Sequence, residues 1–235
     1  MAQARPRPSG AAPGTASRPS SGPHTSDPLL LVWLALRLKG LGEIDGIAEV
    51  HGLALDETED LLAQLTDAGR CQYRAVDGVE KFILTAAGRD DGEAALAAEL
   101  DAAGVRTQVE AAYRQFRRLN PTMLRLCTDW QVVVVPASAA RRLNDHDDPA
   151  YDDAVVARLA DLDVQVDDVL GTLAAALARY AGYRPRFTAA LARLVAGERD
   201  YFTKPVVSSY HTVWFELHED LLATLNLNRA DEATE

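Results

Sequence analysis

The sequence predicts a mostly α-helical chain of 235 residues in which one β-hairpin follows three short helices. Three observations carry this prediction: apolar segments that end at glycines, a hairpin pattern after them, and alanine-rich helical patterns from Asp91 onward. The short helices are predicted from Leu29 to Lys39, from Glu43 to His51 and from Asp56 to Ala68, and they end at Gly40, Gly52 and Gly69.

The hairpin pattern is CQYRAVDGVEKFILT, which places Asp77-Gly78 between two runs that bear apolar side chains. Glycine tolerates the positive φ that a tight hairpin turn demands, so this dipeptide is a strong turn signal. Three short helices followed by a hairpin predict a winged helix-turn-helix domain over residues 28–90. The helical patterns that follow predict an α-helical domain for dimerisation or ligand binding over residues 91–235.

Residues 1–27 are rich in Pro, Ser, Gly and Ala and carry few large apolar side chains. Such a segment cannot offset the entropy lost on ordering, so it predicts a disordered tail. The alternative is a basic arm that reaches into a DNA groove through Arg5, Arg7 and Arg18.

Composition restricts the classes of function. No apolar run approaches the roughly 18 residues that span a bilayer, and the N-terminus lacks the apolar block of a signal peptide. Cys71 and Cys127 are far apart and form no disulfide framework, which predicts a cytoplasmic protein without a membrane segment. The formal charge of −11 opposes binding to nucleic acid, because contacts to phosphate supply most non-specific affinity.

The third helix would be the recognition helix of a winged-helix domain, yet its first turns carry four acids. Thr58 and Gln64 are its only side chains suited to reading base edges. Phosphate contacts are therefore expected from Arg74 and Lys81 on the hairpin and from Lys39 at the end of the first helix. The four acids are Asp56, Glu57, Glu59 and Asp60.

The residues Leu84-Thr85-Ala86-Ala87-Gly88-Arg89 resemble the LTxxGR close of MarR-like winged-helix regulators. The longer segment LAQLTDAGRCQYRAVDGVEKFILTAAGR is similar to that family throughout. The sequence departs from the family in its acidic third helix and in Arg70, where an apolar residue is usual. The resemblance covers the N-terminal part only, and it implies a winged-helix fold and a DNA-binding regulator that acts as a homodimer.

The remaining pattern is helical, with polar side chains at the expected helix starts. Val132 to Val135 could be a short buried strand or a packed linker, and Asn144 to Asp147 is expected to be a polar loop, with cation binding as the alternative. Further helices are predicted for Asp91–Ala103, Val105–Leu119, a segment opened by Pro121, Tyr151–Leu162, Val166–Tyr180, Phe187–Gly197 and Ser209–Leu225. The predicted N-caps are Thr85, Asp148 before Pro149, and Ser208 or Ser209, with a capping box at Asp56 and Glu59.

Two surfaces of these helices invite functional interpretation. Arg106, Arg114, Arg117 and Arg118 gather on one face, which is a phosphate-contacting or acid-binding surface or a solvated face. The final helix carries an aromatic and histidine cluster that is either a small-molecule effector pocket or an ordinary core. This cluster comprises Tyr210, His211, Trp214, Phe215 and His218.

No catalytic or cofactor motif is present in the sequence. A nucleophile elbow, a Walker loop and a dinucleotide fingerprint are all missing, and His211 and His218 are two helical turns apart, too far for a shared metal. The sequence therefore predicts a winged-helix transcriptional regulator that is not an enzyme and needs no metal or cofactor. The alternative is a winged-helix module that binds another protein, and a more distant one is an enzyme centred on His146, His211 and His218.

Overall fold

A computed structural model describes residues 22–134 and 140–228 of the chain, which are mostly helical. The first three helices are α1 (Pro28–Lys39), α2 (Ile44–His51) and α3 (Leu55–Asp67). Strands β1 (Cys71–Val76) and β2 (Val79–Leu84) pair antiparallel, with Cys71 opposite Leu84 and Val76 opposite Val79. Asp77 and Gly78 form the turn at φ values of 53° and 80°, which confirms the predicted hairpin.

The rest of the described chain is built from longer helices. Two further short strands pair antiparallel, with Val132 opposite Leu143, and two short 3₁₀ helices are present. The elements are α4 (Ala86–Ala103), α5 (Arg106–Gln131), β3 (Val132–Val134), β4 (Arg141–Leu143), α6 (Pro149–Ala176), a 3₁₀ helix (Ala178–Gly182), α7 (Tyr183–Val195), a 3₁₀ helix (Arg199–Tyr201) and α8 (Tyr210–Leu225).

Three of the predicted N-caps are confirmed by side-chain hydrogen bonds. Thr85 Oγ1 accepts from Gly88 N–H at 2.9 Å, Asp148 Oδ1 accepts from Ala150 N–H at 3.1 Å, and Ser209 Oγ accepts from Thr212 N–H at 3.2 Å. The capping box at Asp56 and Glu59 is wrong, because α3 begins one residue earlier, after Ala54.

Two predicted helix breaks are wrong. Pro121 lies inside the single helix α5, and α6 runs without interruption through Asp163. Buried side chains on both sides of each position, such as Phe116 and Met123 around Pro121, hold the helices together by packing. Tertiary packing therefore outweighs the local cost of one missing backbone hydrogen bond.

Two hydrophobic clusters form the interior. The first surrounds Trp33 of α1, takes in α2, α3, the hairpin and α4, and reaches Ala223 of α8. The second joins α5, α6, α7 and α8 and also includes Leu100 of α4. Helices α4 and α8 thus belong to both clusters and link the N-terminal elements to the C-terminal ones.

Two glycines at the start of α4 allow this helix to approach its neighbours closely. A Cβ on Gly88 would collide with the Arg70 carbonyl, and a Cβ on Gly92 would collide with the Trp33 ring. Trp33 Nε1 donates to the Gly88 carbonyl at 2.5 Å, so the indole is both packed and hydrogen-bonded. Gly88 is the glycine of the LTxxGR-like segment, and its physical role here is this close contact.

The predicted disordered tail ends earlier than Asp27. His24 N–H donates to the Ala176 carbonyl at 3.0 Å, and Ala178 N–H donates to the His24 carbonyl at 2.9 Å. Arg179 also donates to Ser26 Oγ at 2.7 Å, and Ser26 is buried. The prediction is therefore wrong for residues 22–27, which dock on the end of α6, while residues 1–21 lie outside the described part of the chain.

Among the residues that the structure describes, every helix is too short or too polar to cross a membrane.

Candidate functional site

Thr58, one of the residues predicted to contact DNA, lies in the interior of the protein. Its side chain is fully buried, and its hydroxyl donates to the Ala54 carbonyl at 2.8 Å. The prediction for Thr58 is wrong because this position falls on the face of α3 that packs against the core. Gln64, by contrast, is exposed on the same helix.

The three basic residues that were predicted to contact DNA phosphates differ in their exposure to solvent. Arg74 and Lys39 are exposed. Lys81 is partly covered, and its Nζ lies 3.3 Å from Glu43 Oε1, just before α2. Lys81 also sits opposite Arg74 in the hairpin, three residues from the turn, rather than at the tip.

The five residues predicted as a ligand pocket do not surround one cavity. Tyr210 is buried and its hydroxyl donates to Asp163 Oδ1 at 2.9 Å, while Trp214 Nε1 donates to Asn120 Oδ1 at 3.0 Å. Both side chains belong to the C-terminal hydrophobic cluster, which favours the ordinary-core alternative for them.

The other three residues of that group lie in different environments. His218 is buried with its ring centroid 5.3 Å from that of Phe116. His211 is half-buried, and burial lowers its pKa. Phe215 is 44% exposed on the outer side of α8.

A cavity of about 900 Å³ lies instead where α2 faces α7 and the 3₁₀ helix before it. None of the five predicted pocket residues lines it. Its walls come from the docked N-terminal segment, the ends of α1 and α2, the turn into α7, the loop before α8 and the first turns of α8. The charged and histidine side chains among them are Lys39, Glu49, His51, Arg179, Arg186 and Glu216.

His51 is the last residue of α2, and one nitrogen of its ring is buried. Gly52 ends the helix in the left-handed conformation at φ 66°. His51 Nε2 is buried and has no hydrogen-bond partner among the described residues. Burial lowers the pKa of His51 to about 4; the Asp220 carboxylate opposes this shift, and the Arg179 and Arg186 guanidinium groups add to it. The imidazole is therefore neutral at pH 7, and its Nε2 is a buried atom without a partner among the described residues.

Arg179 forms the opposite wall and is almost completely buried, at 2% side-chain exposure. It donates to Glu99 Oε2 at 2.5 Å and to Thr224 Oγ1 at 2.9 Å, in addition to Ser26. Its Nε has no partner in the part of the chain that the structure describes. A buried guanidinium needs its charge balanced, and Glu99 provides that balance.

Arg179 is hydrogen-bonded to a buried network that consists of hydroxyl groups and one carboxylate. Asp220 is fully buried and accepts from Tyr183 Oη at 3.0 Å and from Thr224 Oγ1 at 3.0 Å. Burial raises the pKa of Tyr180 and of Tyr183 well above the ordinary value, so both phenols remain protonated donors. Tyr180 Oη donates to Thr224 Oγ1 at 3.1 Å.

The mouth of the cavity carries an ion pair and a lone cation. Arg186 donates to Glu216 Oε2 at 2.5 Å. Lys39 is exposed and makes no ion pair within the described ranges. Three cations and two carboxylates thus line the cavity, and Glu99 balances Arg179, so Lys39 is the lining cation without an ion pair among the described residues. His51 Nε2 and Arg179 Nε are buried nitrogens without a hydrogen-bond partner there.

A second polar cluster surrounds His146 in the loop between β4 and α6. His146 Nδ1 lies 2.9 Å from Asp152 Oδ2, and Asn144 Nδ2 donates to Asp152 Oδ1 at 2.9 Å. Arg199 donates to the His146 carbonyl at 2.7 Å, and the His146 ring packs 4.6 Å from that of Trp130. His146 adopts a positive φ of 61°, which this network holds in place.

Metal binding by the Asn144–Asp147 loop gains no support from this geometry. Across residues 22–134 and 140–228, no group of three or more His, Cys, Asp or Glu side chains is arranged to hold a metal ion. The polar-loop interpretation is confirmed by the hydrogen bonds of Asn144 and His146.

Sequence reasoning missed His51, Arg179 and Arg186. Arg179 had the clearest signal, because it interrupts the apolar run LAAALARYAG over residues 173–182, and a charge in such a run is buried only with a partner. Nothing in the local pattern of His51 indicated that its nitrogen would lack one.

Comparisons with protein-family models, with curated proteins and with solved structures find no match for this chain.

Proposed function

We propose that the protein is a winged-helix transcriptional regulator that contacts DNA through its β1–β2 hairpin. The observation that supports this proposal most is a pair of backbone hydrogen bonds between the α1–α2 linker and the hairpin. Gly42 N–H donates to the Phe82 carbonyl at 3.0 Å, and Phe82 N–H donates to the Gly42 carbonyl at 2.7 Å. This pair of hydrogen bonds gives the hairpin a third backbone segment, and the hairpin packs against α1 and α3, which supports a winged-helix arrangement.

The hairpin offers side chains that suit a nucleic-acid backbone. Gln72, Tyr73 and Arg74 are exposed on β1, and Arg74 makes no ion pair with the described residues. Arg74 is therefore ready to contact a phosphate, whereas Lys81 would first have to leave Glu43. DNA would approach the hairpin while the acidic turns of α3 stay clear of the phosphates.

The family resemblance of the LTxxGR-like segment supports the same function. A homodimer and a cytoplasmic location remain predictions that accompany it.

The second candidate is a winged-helix module that binds a basic protein surface. It is favoured by α3, on which Asp56, Glu57, Glu59 and Asp60 are all exposed. The electrostatic repulsion between this face and DNA phosphates makes α3 better suited to a cationic partner than to a groove.

A salt-titrated binding assay with mixed genomic DNA tests the proposal. Wild-type protein should bind at low salt, and Arg74→Gln should lower the slope of log K against log salt by about 0.9, the contribution of one phosphate contact. The matched control is Arg193→Gln, an exposed arginine of α7, which should leave the slope unchanged.

A double substitution separates the two candidates. Glu57→Lys with Glu59→Lys should strengthen DNA binding by removing repulsion near the duplex. No DNA binding by wild type at about 20 mM salt, where attraction is least screened, would overturn the regulator proposal in favour of the protein-binding module.

A further inference from the structure

We propose that the cavity between α2 and α7 binds an organic anion, a molecule with a carboxylate head and an apolar body. The cavity is distinct from the aromatic cluster of α8 predicted from sequence, and its lining includes His51 and Arg179, each of which has a buried nitrogen without a partner among the described residues. Binding itself is independent of the DNA proposal; only its regulatory consequence rests on that proposal.

The negative head follows from the charges and donors that face the cavity. Lys39, Arg179 and Arg186 oppose Glu49 and Glu216 among the lining side chains. Two of the cations, Arg179 and Arg186, already satisfy carboxylates with part of their guanidinium groups. Lys39 Nζ remains as an exposed donor, and Arg179 Nε is a buried donor without a partner among the described residues. A carboxylate can accept from both kinds of nitrogen, from Arg179 Nε after a small movement of the side chain.

His51 extends the same set of polar contacts. Its unpartnered Nε2 can donate to a ligand oxygen in one tautomer or accept in the other. An unsatisfied buried nitrogen costs stability, and filling it with a ligand atom recovers that cost on binding. His51 comes from the N-terminal elements and Arg179 from the C-terminal ones, so a ligand that reaches both would hold these parts together.

The apolar body of the ligand is inferred from the apolar side chains that line the cavity. The cavity is also lined by aliphatic and proline side chains, and a volume of about 900 Å³ suits a small organic molecule rather than a bare ion. These side chains are Leu31, Val50, Pro185, Pro205, Val206 and Val207.

The regulatory consequence concerns α2. This helix packs against α1 and α3 within the N-terminal cluster, and its last residue is His51. A ligand bound to both His51 and Arg179 would favour the arrangement of α2 described here over any other, since a ligand shifts an equilibrium toward the state it binds better. In a DNA-binding regulator, that shift would change the affinity for DNA.

Isothermal titration calorimetry on the full chain tests the ligand class with three probes: benzoate, benzamide and inorganic phosphate. Benzamide keeps the ring and removes the charge, and phosphate keeps the charge and removes the ring. We expect benzoate to bind at least about tenfold more tightly than either of the others.

Substitutions test whether benzoate binds in this cavity. His51→Leu should weaken benzoate binding about tenfold, and Lys39→Gln, at an exposed position that leaves folding intact, should weaken it by a smaller factor. The matched control is Arg125→Gln, an exposed arginine of α5, which should leave the affinity unchanged.

Several results would overturn the proposal: equal affinity for benzoate and benzamide, binding of phosphate without benzoate, or an equal loss in Arg125→Gln. Failure of benzoate to bind at about 10 mM, a concentration that detects even weak sites, would do the same. Because no DNA is present, these outcomes are separate from failure of the DNA-binding proposal.

Discussion

The surroundings of His51 and His146 differ in one respect that matters for function. His146 Nδ1 is anchored by the Asp152 carboxylate, and that carboxylate also accepts from Asn144. His51 Nε2 is buried but has no partner among the residues described. The first network satisfies its own members, while the cavity beside His51 retains hydrogen-bonding capacity that the protein does not use.

The difference teaches how to separate structural polar clusters from candidate binding sites. A buried polar atom without a partner costs about 1–3 kcal/mol, so a satisfied cluster is explained by stability alone. An unsatisfied one lowers stability and calls for another explanation, such as a ligand. Removal of the Asp152 carboxylate should therefore lower the free energy of unfolding, whereas removal of the unpartnered His51 nitrogen should not.

The largest effect is expected for Arg179→Met. This change leaves the buried Glu99 carboxylate without its guanidinium partner, and breaking a buried ion pair costs about 3–5 kcal/mol. Urea unfolding measures the loss. Adding Glu99→Gln should restore part of the stability by removing the buried charge, and a single variant as stable as wild type would contradict the described ion pair.

An intermediate effect is expected for Asp152→Ala. Asn144 and His146 would both lose their shared acceptor, which should lower the free energy of unfolding by about 1–3 kcal/mol. Thermal unfolding measures it, with Asp153→Ala, an exposed neighbour, as the matched control. Equal stability of the two variants would remove the contrast between the His146 network and the cavity.

The smallest change in the free energy of unfolding is expected for His51→Leu, and the sign of this change is what tests the comparison. Removing an unpartnered buried nitrogen should leave the free energy of unfolding at pH 7 unchanged or raise it by about 1 kcal/mol. A loss larger than this would mean that His51 makes a stabilising contact.

The same variant should change the pH dependence of stability. Because the pKa of His51 is about 4 in the folded protein and 6.5 when exposed, the unfolded state binds more protons between these values. Wild-type stability should therefore fall as the pH decreases from 6.5 to 4, and His51→Leu should reduce that fall. His211, whose pKa burial also lowers, would account for part of what remains.

Local sequence signals predicted the parts of the fold that short-range physics decides. Asp77-Gly78 indicated the turn, and Thr85 and Asp148 indicated helix starts, because a turn or a cap depends on neighbouring residues alone. The break at Pro121 was wrong, since the packing of α5 against α6 is invisible in a local pattern.

The cavity could not be predicted in the same way. His51 and Arg179 are distant in sequence and meet only because α2 packs near the turn into α7. Whether an atom has a partner is a property of the folded arrangement, and the aromatic residues of α8 suggested a pocket there instead. Thr58 shows the same limit, because its burial on α3 depends on how that helix is rotated against the core.

The most direct test of the cavity account is a proton NMR titration of the His51 imidazole, assigned by comparison with His51→Leu. We expect a pKa of about 4 in the free protein, well below that of an exposed histidine. Saturating benzoate should raise the pKa, because a nearby carboxylate favours the protonated ring. An ordinary pKa near 6.5 in the free protein, or a pKa that benzoate leaves unchanged, would contradict the account.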